Sequence, residues 1–102
     1  MKRYRFLREA DMEFQEQISY FDKQASGLGD RFIADVDATV ADIRQYPESG
    51  SSISSNLRKR ILRVFKHTIF YVNEEHEIVI VAVAPQKRRP GYWRKRLRNL
   101  SS

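Results

Sequence analysis

Ile78-Val79-Ile80-Val81-Ala82-Val83-Ala84 runs without a break into Pro85-Gln86-Lys87-Arg88-Arg89-Pro90-Gly91-Tyr92-Trp93-Arg94-Lys95-Arg96. Seven apolar residues in a row leave no polar face, so the first part reads as a strand that must be covered on both sides. Pro85 ends it. A cluster of cations around two adjacent aromatics follows directly, with no linker. Such a junction fixes a charged, sticky element to the end of a packed strand, an arrangement suited to binding something larger than a metabolite. Tyr92–Leu100 reads as a short basic helix, with Tyr92 or Trp93 and Leu97 toward the sheet and the arginines toward water.

Working toward the N-terminus, two more strand-like runs precede this one, at about Arg58–Phe65 and Thr68–Val72. Asn73-Glu74-Glu75-His76 is short enough to close a hairpin onto Ile78. Pro47–Asn56 is a loop by composition. Before it, Phe32, Val36, Val40 and Ile43 repeat at helical spacing, with Asp30 as the expected cap and Pro47 as the stop. Phe14, Ile18, Phe21 and Ala25 form a similar stripe on a helix from about Asp11, broken by Ser26-Gly27-Leu28-Gly29. Residues 2–8 mix aromatics and cations and read as a first strand. The order β-α-α-β-β-β predicts a single α+β domain over residues 1–102, an antiparallel-rich sheet of about four strands with a helical hairpin on one face. Two helices cover only one face of Ile78–Ala84. The C-terminal segment and a partner chain are therefore both expected to contribute to the other.

At 102 residues the chain has room for one modest core. A 41% hydrophobic and 31% charged composition excludes a disordered chain. No apolar run approaches a membrane span, and the charged start leads into no signal-peptide hydrophobic region, so no membrane association and a cytoplasmic location are expected. Without cysteine there is no thiolate nucleophile or disulfide. The net charge of +6 is unevenly spread: residues 10–55 hold nine anions against three cations, and residues 78–102 hold seven cations and no anion. This polarity suits an anionic partner.

The order and spacing of several short motifs resemble the RelE/ParE superfamily of toxins from type II toxin–antitoxin systems, the ParE branch more closely. They are Ala10-Asp11, Gly29-Asp30-Arg31-Phe32, Tyr46-Pro47-Glu48-Ser49-Gly50, Arg60-Ile61-Leu62, Ile69-Phe70-Tyr71, Ala82-Val83-Ala84 and Arg88-Arg89-Pro90-Gly91-Tyr92-Trp93. The resemblance spans nearly the whole chain. It implies a growth-inhibiting toxin neutralised by a cognate antitoxin. ParE-like members are associated with inhibition of DNA gyrase, whereas RelE-like members cleave messenger RNA on the ribosome. Pro85 stands where many similar sequences carry histidine, and Val72 where many carry arginine.

The residues assigned to target or antitoxin binding are Arg58, Arg60, Arg63, Lys87, Arg88, Arg89, Tyr92, Trp93 and Arg94. A ribonuclease would instead need phosphate-binding cations and a proton donor, for which Arg60, Arg63 and Tyr92 are the candidates. Strand alternation, however, sends Arg58, Arg60 and Lys66 to one face and Lys59 and Arg63 to the other. Trp93 is expected to anchor the tail and the neighbouring arginines to face a partner. His67 and His76 are read as surface or turn residues, since no ligand cluster has metal-binding spacing. Asp35 and Asp42 share a helical face and are read as solvated, or as ion-paired to a basic element. No metal or cofactor is expected. Gyrase binding without catalysis, RNA cleavage at the ribosome, and a weakly toxic partner-binding module are the functions that follow.

Overall fold

The computed structural model describes residues 1–100. In chain order it contains β1 (Arg3–Phe6), α1 (Arg8–Gln24), α2 (Leu28–Gln45), β2 (Ser51–Ser54), β3 (Leu57–Ile61), β4 (His67–Asn73), β5 (Glu77–Pro85) and a 3₁₀ helix, Arg94–Asn99. The strands form one sheet in the order β1-β5-β4-β3-β2. β1 runs parallel to β5, and the other pairs are antiparallel. The expected α+β architecture therefore holds, with one strand more than anticipated.

That strand, β2, lies inside the segment read as a loop. Its serines carry no strand signal, and pairing to β3 supplies the structure. The preceding turn is held from outside. Tyr71 donates its hydroxyl proton to the Pro47 carbonyl at 2.7 Å and accepts the Gly50 N–H at 3.0 Å. A Cβ on Gly50 would sit 2.5 Å from the Tyr71 oxygen, so only glycine permits this approach.

α1 starts at Arg8, earlier than Asp11, and carries Glu9 and Asp11 in its first turn, where carboxylates complement the helix dipole. The Ser26–Gly29 break is shorter than expected. Gly27 takes φ +82° and α2 begins at Leu28. Asp30 does not cap this helix. Instead Asp22, on α1, accepts the Gly29 N–H at 3.0 Å, so the capping carboxylate comes from the neighbouring helix. Phe32, Val36, Val40 and Ile43 are buried as the periodicity required, and α2 stops at Gln45 before Pro47.

β3 ends at Ile61 rather than Phe65 because Asp35 captures the chain beyond it. The largely buried Asp35 carboxylate accepts the backbone N–H groups of Arg63, Val64 and Phe65 at 3.3, 2.9 and 2.8 Å. Asp35 is thus not solvated, and among the described residues it has no ion pair; it fixes the β3–β4 turn.

β5 is buried along its apolar run, from Ile78 through Val83 at 0% exposure to Ala84 at 6%. Cross-strand partners share a face, so Ile69 with Val83 and Tyr71 with Ile80 lie on one side, and Phe70 with Ala82 and Thr68 with Ala84 on the other. The second side is closed by Trp93, whose ring packs against Phe70 with centroids 4.6 Å apart and planes tilted by 34°. The small side chains of Ala82 and Ala84 leave room for that layer. The chain therefore covers β5 by itself, and no partner is needed for this strand. Val72, on the same side opposite Leu57, is also buried.

His67 is not a surface residue. It opens β4 at 7% exposure, packed edge-on to Phe21, with Nε2 donating to Gln17 Oε1 at 2.9 Å and Nδ1 buried without a hydrogen bond among the described residues. Burial lowers its pKa below 6.5, against an opposing pull from Asp35. Its folded-state pKa is depressed, so its contribution to stability is present above pH 6.5 and lost as pH falls through the folded value. Chemical denaturation between pH 7.5 and 5 should show the midpoint falling on acidification, and His67→Gln should flatten that fall.

Candidate functional site: the cationic tail and the edge it closes

β1 pairs with β5 only from Glu77 to Ile80, after which the chain turns away into α1. From Val81 onward that edge of β5 has no strand beside it among the described residues. Buried backbone groups there need other partners. Glu13 of α1 accepts the Val83 N–H at 3.2 Å, and Arg96 of the tail donates to the Val81 carbonyl at 2.9 Å. Glu13 and Arg96 also pair with each other through two hydrogen bonds, 2.8 and 3.0 Å, with side chains only 12% and 14% exposed. The Tyr92 hydroxyl donates to the other oxygen of Glu13. One carboxylate thereby joins the first helix, the sheet edge and two residues of the tail.

The register of β4 and β5 slips between Phe70 and Tyr71, which are opposite Ala82 and Ile80 and leave Val81 as an extra residue. The carbonyl of this bulged residue is the one that Arg96 takes up. Burial works against the charge of Arg96, but the hydrogen bonds and charge of Glu13 more than offset it and its pKa rises. Burial, then donation to Glu13, pushes the Tyr92 phenol well above its ordinary range. Tyr92 is a fixed hydrogen-bond donor here, not an acid ready to release its proton.

The nine residues assigned to binding separate into two groups. Arg58 donates to the carbonyls of Glu48 and Gly50 at 3.2 and 2.8 Å, Arg60 to Ser49 Oγ at 2.8 Å, and Arg63 to Asp42 at 2.6 Å. Arg60 reaches the same Asp42 oxygen at 3.5 Å. These three therefore gather around the last turns of α2 and the loop that follows it. The alternation argument misplaced Arg63 because the strand stops at Ile61, and period-two geometry lapses in the turn. Asp42 makes the ion pair allowed for it.

The second group surrounds the tail. Lys59, Arg88, Arg89, Tyr92 and Trp93 line a hollow of about 310 Å³. Arg88 lies 4.0 Å over the Tyr92 ring and Arg94 5.0 Å over Trp93. Lys87 is exposed beside them. Trp93 is the anchor expected of it, at 3% exposure. The expected short helix is a 3₁₀ segment, Arg94–Asn99. Glu13 and Arg96 were not singled out in the sequence. Glu13 gives no local signal, since it is one carboxylate among several on α1, and its partner lies 83 residues away. Among the described residues no group of His, Cys, Asp and Glu could hold a metal ion, and no helix is long and apolar enough to cross a membrane.

The family model described as "ParE toxin of type II toxin-antitoxin system, parDE" matches residues 4–90. The chain belongs to the ParE toxin family. A solved structure titled "Chromosomal ParDE TA system from P. aeruginosa" is similar to it at TM-score 0.71 and 15% identity, over 83% of this chain and 96% of that one. At that identity the likeness is one of fold. No curated protein matches the chain in sequence. The family match ends at Pro90, ahead of Tyr92, Trp93 and Arg96, so the tail's half of the edge closure lies beyond the matched ParE residues.

Removing Glu13 leaves Arg96 buried without its counter-charge and the Val83 N–H without an acceptor. Glu13→Ala should cost about 3 kcal/mol, the scale for breaking a buried ion pair on one side. Urea denaturation measures this loss, and Trp93 emission in the folded state should shift to the red as the tail loosens.

Proposed function

We propose that this ParE-family chain is a cytoplasmic toxin that arrests growth by binding DNA gyrase and is neutralised by a cognate antitoxin. Membership of the family supplies the toxin–antitoxin setting. The observation that carries binding over catalysis is the state of Tyr92. A ribonuclease mechanism would use its phenol as a proton donor beside Arg60 and Arg63. Tyr92 instead donates to Glu13, while Arg60 and Arg63 engage Asp42 of α2. The three candidates thus belong to two separate networks, which does not favour RNA cleavage on the ribosome. A rigid basic surface that contributes charge and shape is what a stoichiometric inhibitor requires.

Purified protein should abolish supercoiling by gyrase and leave message intact in a translating extract. Adding the antitoxin should restore supercoiling. Message cleavage at the ribosomal A site without gyrase inhibition would overturn the proposal.

A further inference from the structure

The β3–β4 turn and the buried histidine behind it form a network separate from the closure of the β5 edge. Asp35, 6% exposed, holds the turn through the backbone N–H groups of Arg63, Val64 and Phe65, the bond from Arg63 being the longest at 3.3 Å. The Leu62 N–H donates to the His67 carbonyl at 2.9 Å and closes the turn at its base. Phe65 reaches from the turn into the rings that enclose His67. Its centroid lies 4.8 Å from that of Phe21 and 5.2 Å from that of Phe32, and the imidazole lies 5.7 and 4.9 Å from the same two rings. One aromatic layer thus joins the turn to His67.

The groups packed on His67 are almost all neutral. α1 supplies Gln17 and Phe21, α2 supplies Phe32, and β5 supplies Pro85 across the strands. Among the described residues Asp35 of α2 is the charge that bears on the imidazole, while the adjacent Lys66 is exposed. With Nε2 given to Gln17, a neutral ring leaves only a bare lone pair at Nδ1. A protonated ring puts an N–H and a positive charge at that buried position, and a buried charge requires a partner. Asp35 can supply one, but its carboxylate is already engaged by the turn.

We propose that His67 is a proton-operated latch on the β3–β4 turn. With the imidazole neutral, Asp35 holds residues 63–65. With the imidazole protonated, the imidazolium competes with the three N–H groups for Asp35, the long bond from Arg63 yields first, and the turn opens while the sheet stays folded. The sign follows from burial: the closed turn disfavours the charged ring, so the open form binds the proton more tightly. Opening is therefore suppressed above pH 6.5. It increases as pH falls from there toward the lower value of the closed form, by at most about tenfold per pH unit. The latch goes beyond the gyrase reading. It makes the conformation of an exposed turn, with Arg63 and Val64 upon it, depend on acidity whatever target the chain binds.

The test is native-state amide hydrogen exchange of the full chain at pH 7.5 and pH 5, in several low urea concentrations, with each rate divided by its intrinsic rate at that pH. Protection of the Arg63, Val64 and Phe65 amides should fall about fivefold or more between the two pH values. Their exchange should depend little on urea, because opening the turn exposes little surface. Val79 and Ile80 should instead show the steep urea dependence of global unfolding. The His67 ring, followed by NMR, should titrate over the pH range in which the turn loses protection. His67→Gln, which stays neutral, should keep turn protection within about twofold across that range. Turn amides that stay protected at pH 5, that follow Val79 and Ile80 in urea at both pH values, or that lose as much in His67→Gln would each overturn the proposal. Should that variant not fold, the unaltered chain decides: a ring that titrates outside the range of protection loss overturns the latch.

Discussion

A strand that outruns its neighbour is the constraint on which the rest of this structure depends. β1 pairs β5 only as far as Ile80, while β5 continues to Pro85. The Val81 carbonyl and the Val83 N–H lie on the edge left open there, and an unmade hydrogen bond at a buried group costs about 1–3 kcal/mol. Glu13 and Arg96 supply the missing partners and neutralise each other. The tail must then lie across the sheet for Arg96 to reach its place. Trp93 is carried onto Phe70 by the same placement, and both faces of β5 become buried. A local hydrogen-bond requirement thus determines where the cationic segment sits.

The acidic middle of the chain finds its use in this scheme. Glu13, Asp35 and Asp42 do not form a solvated surface; each engages a segment from the C-terminal half. Asp35 holds the β3–β4 turn, Asp42 draws Arg60 and Arg63 to α2, and Glu13 fixes Tyr92 and Arg96. Asp42 and Glu13 thereby neutralise Arg60, Arg63 and Arg96 from the helices. Lys59, Lys66 and Arg89 have no ion pair among the described residues.

The core was legible because its signals are periodic. The stripe Phe32, Val36, Val40 and Ile43 and the run Ile78–Ala84 state their burial outright, and Trp93 was recognisable as an anchor. Features set by tertiary contact were not legible. β2 is a serine segment that becomes a strand through β3. Asp22 replaces Asp30 as the cap because the helical hairpin brings it to Gly29. His67 is buried by Phe21 and Phe32, residues distant in sequence. The expectation that a partner chain helps cover Ile78–Ala84 does not hold, because Trp93 of the same chain packs on Phe70. At the site, cation positions could be read from the sequence, but the carboxylates that fix some of them could not.

The most direct measurement is native-state hydrogen exchange at the Val83 amide. Among the described residues no strand pairs β5 on that side at Val83, so without Glu13 this N–H would lack an acceptor. If Glu13 and Arg96 close the edge as described, Val83 should exchange as slowly as the core amides of β5, with an opening free energy near that of global unfolding. Exchange of Val83 at the rate of an exposed turn, with Val79 and Ile80 still protected, would contradict the account.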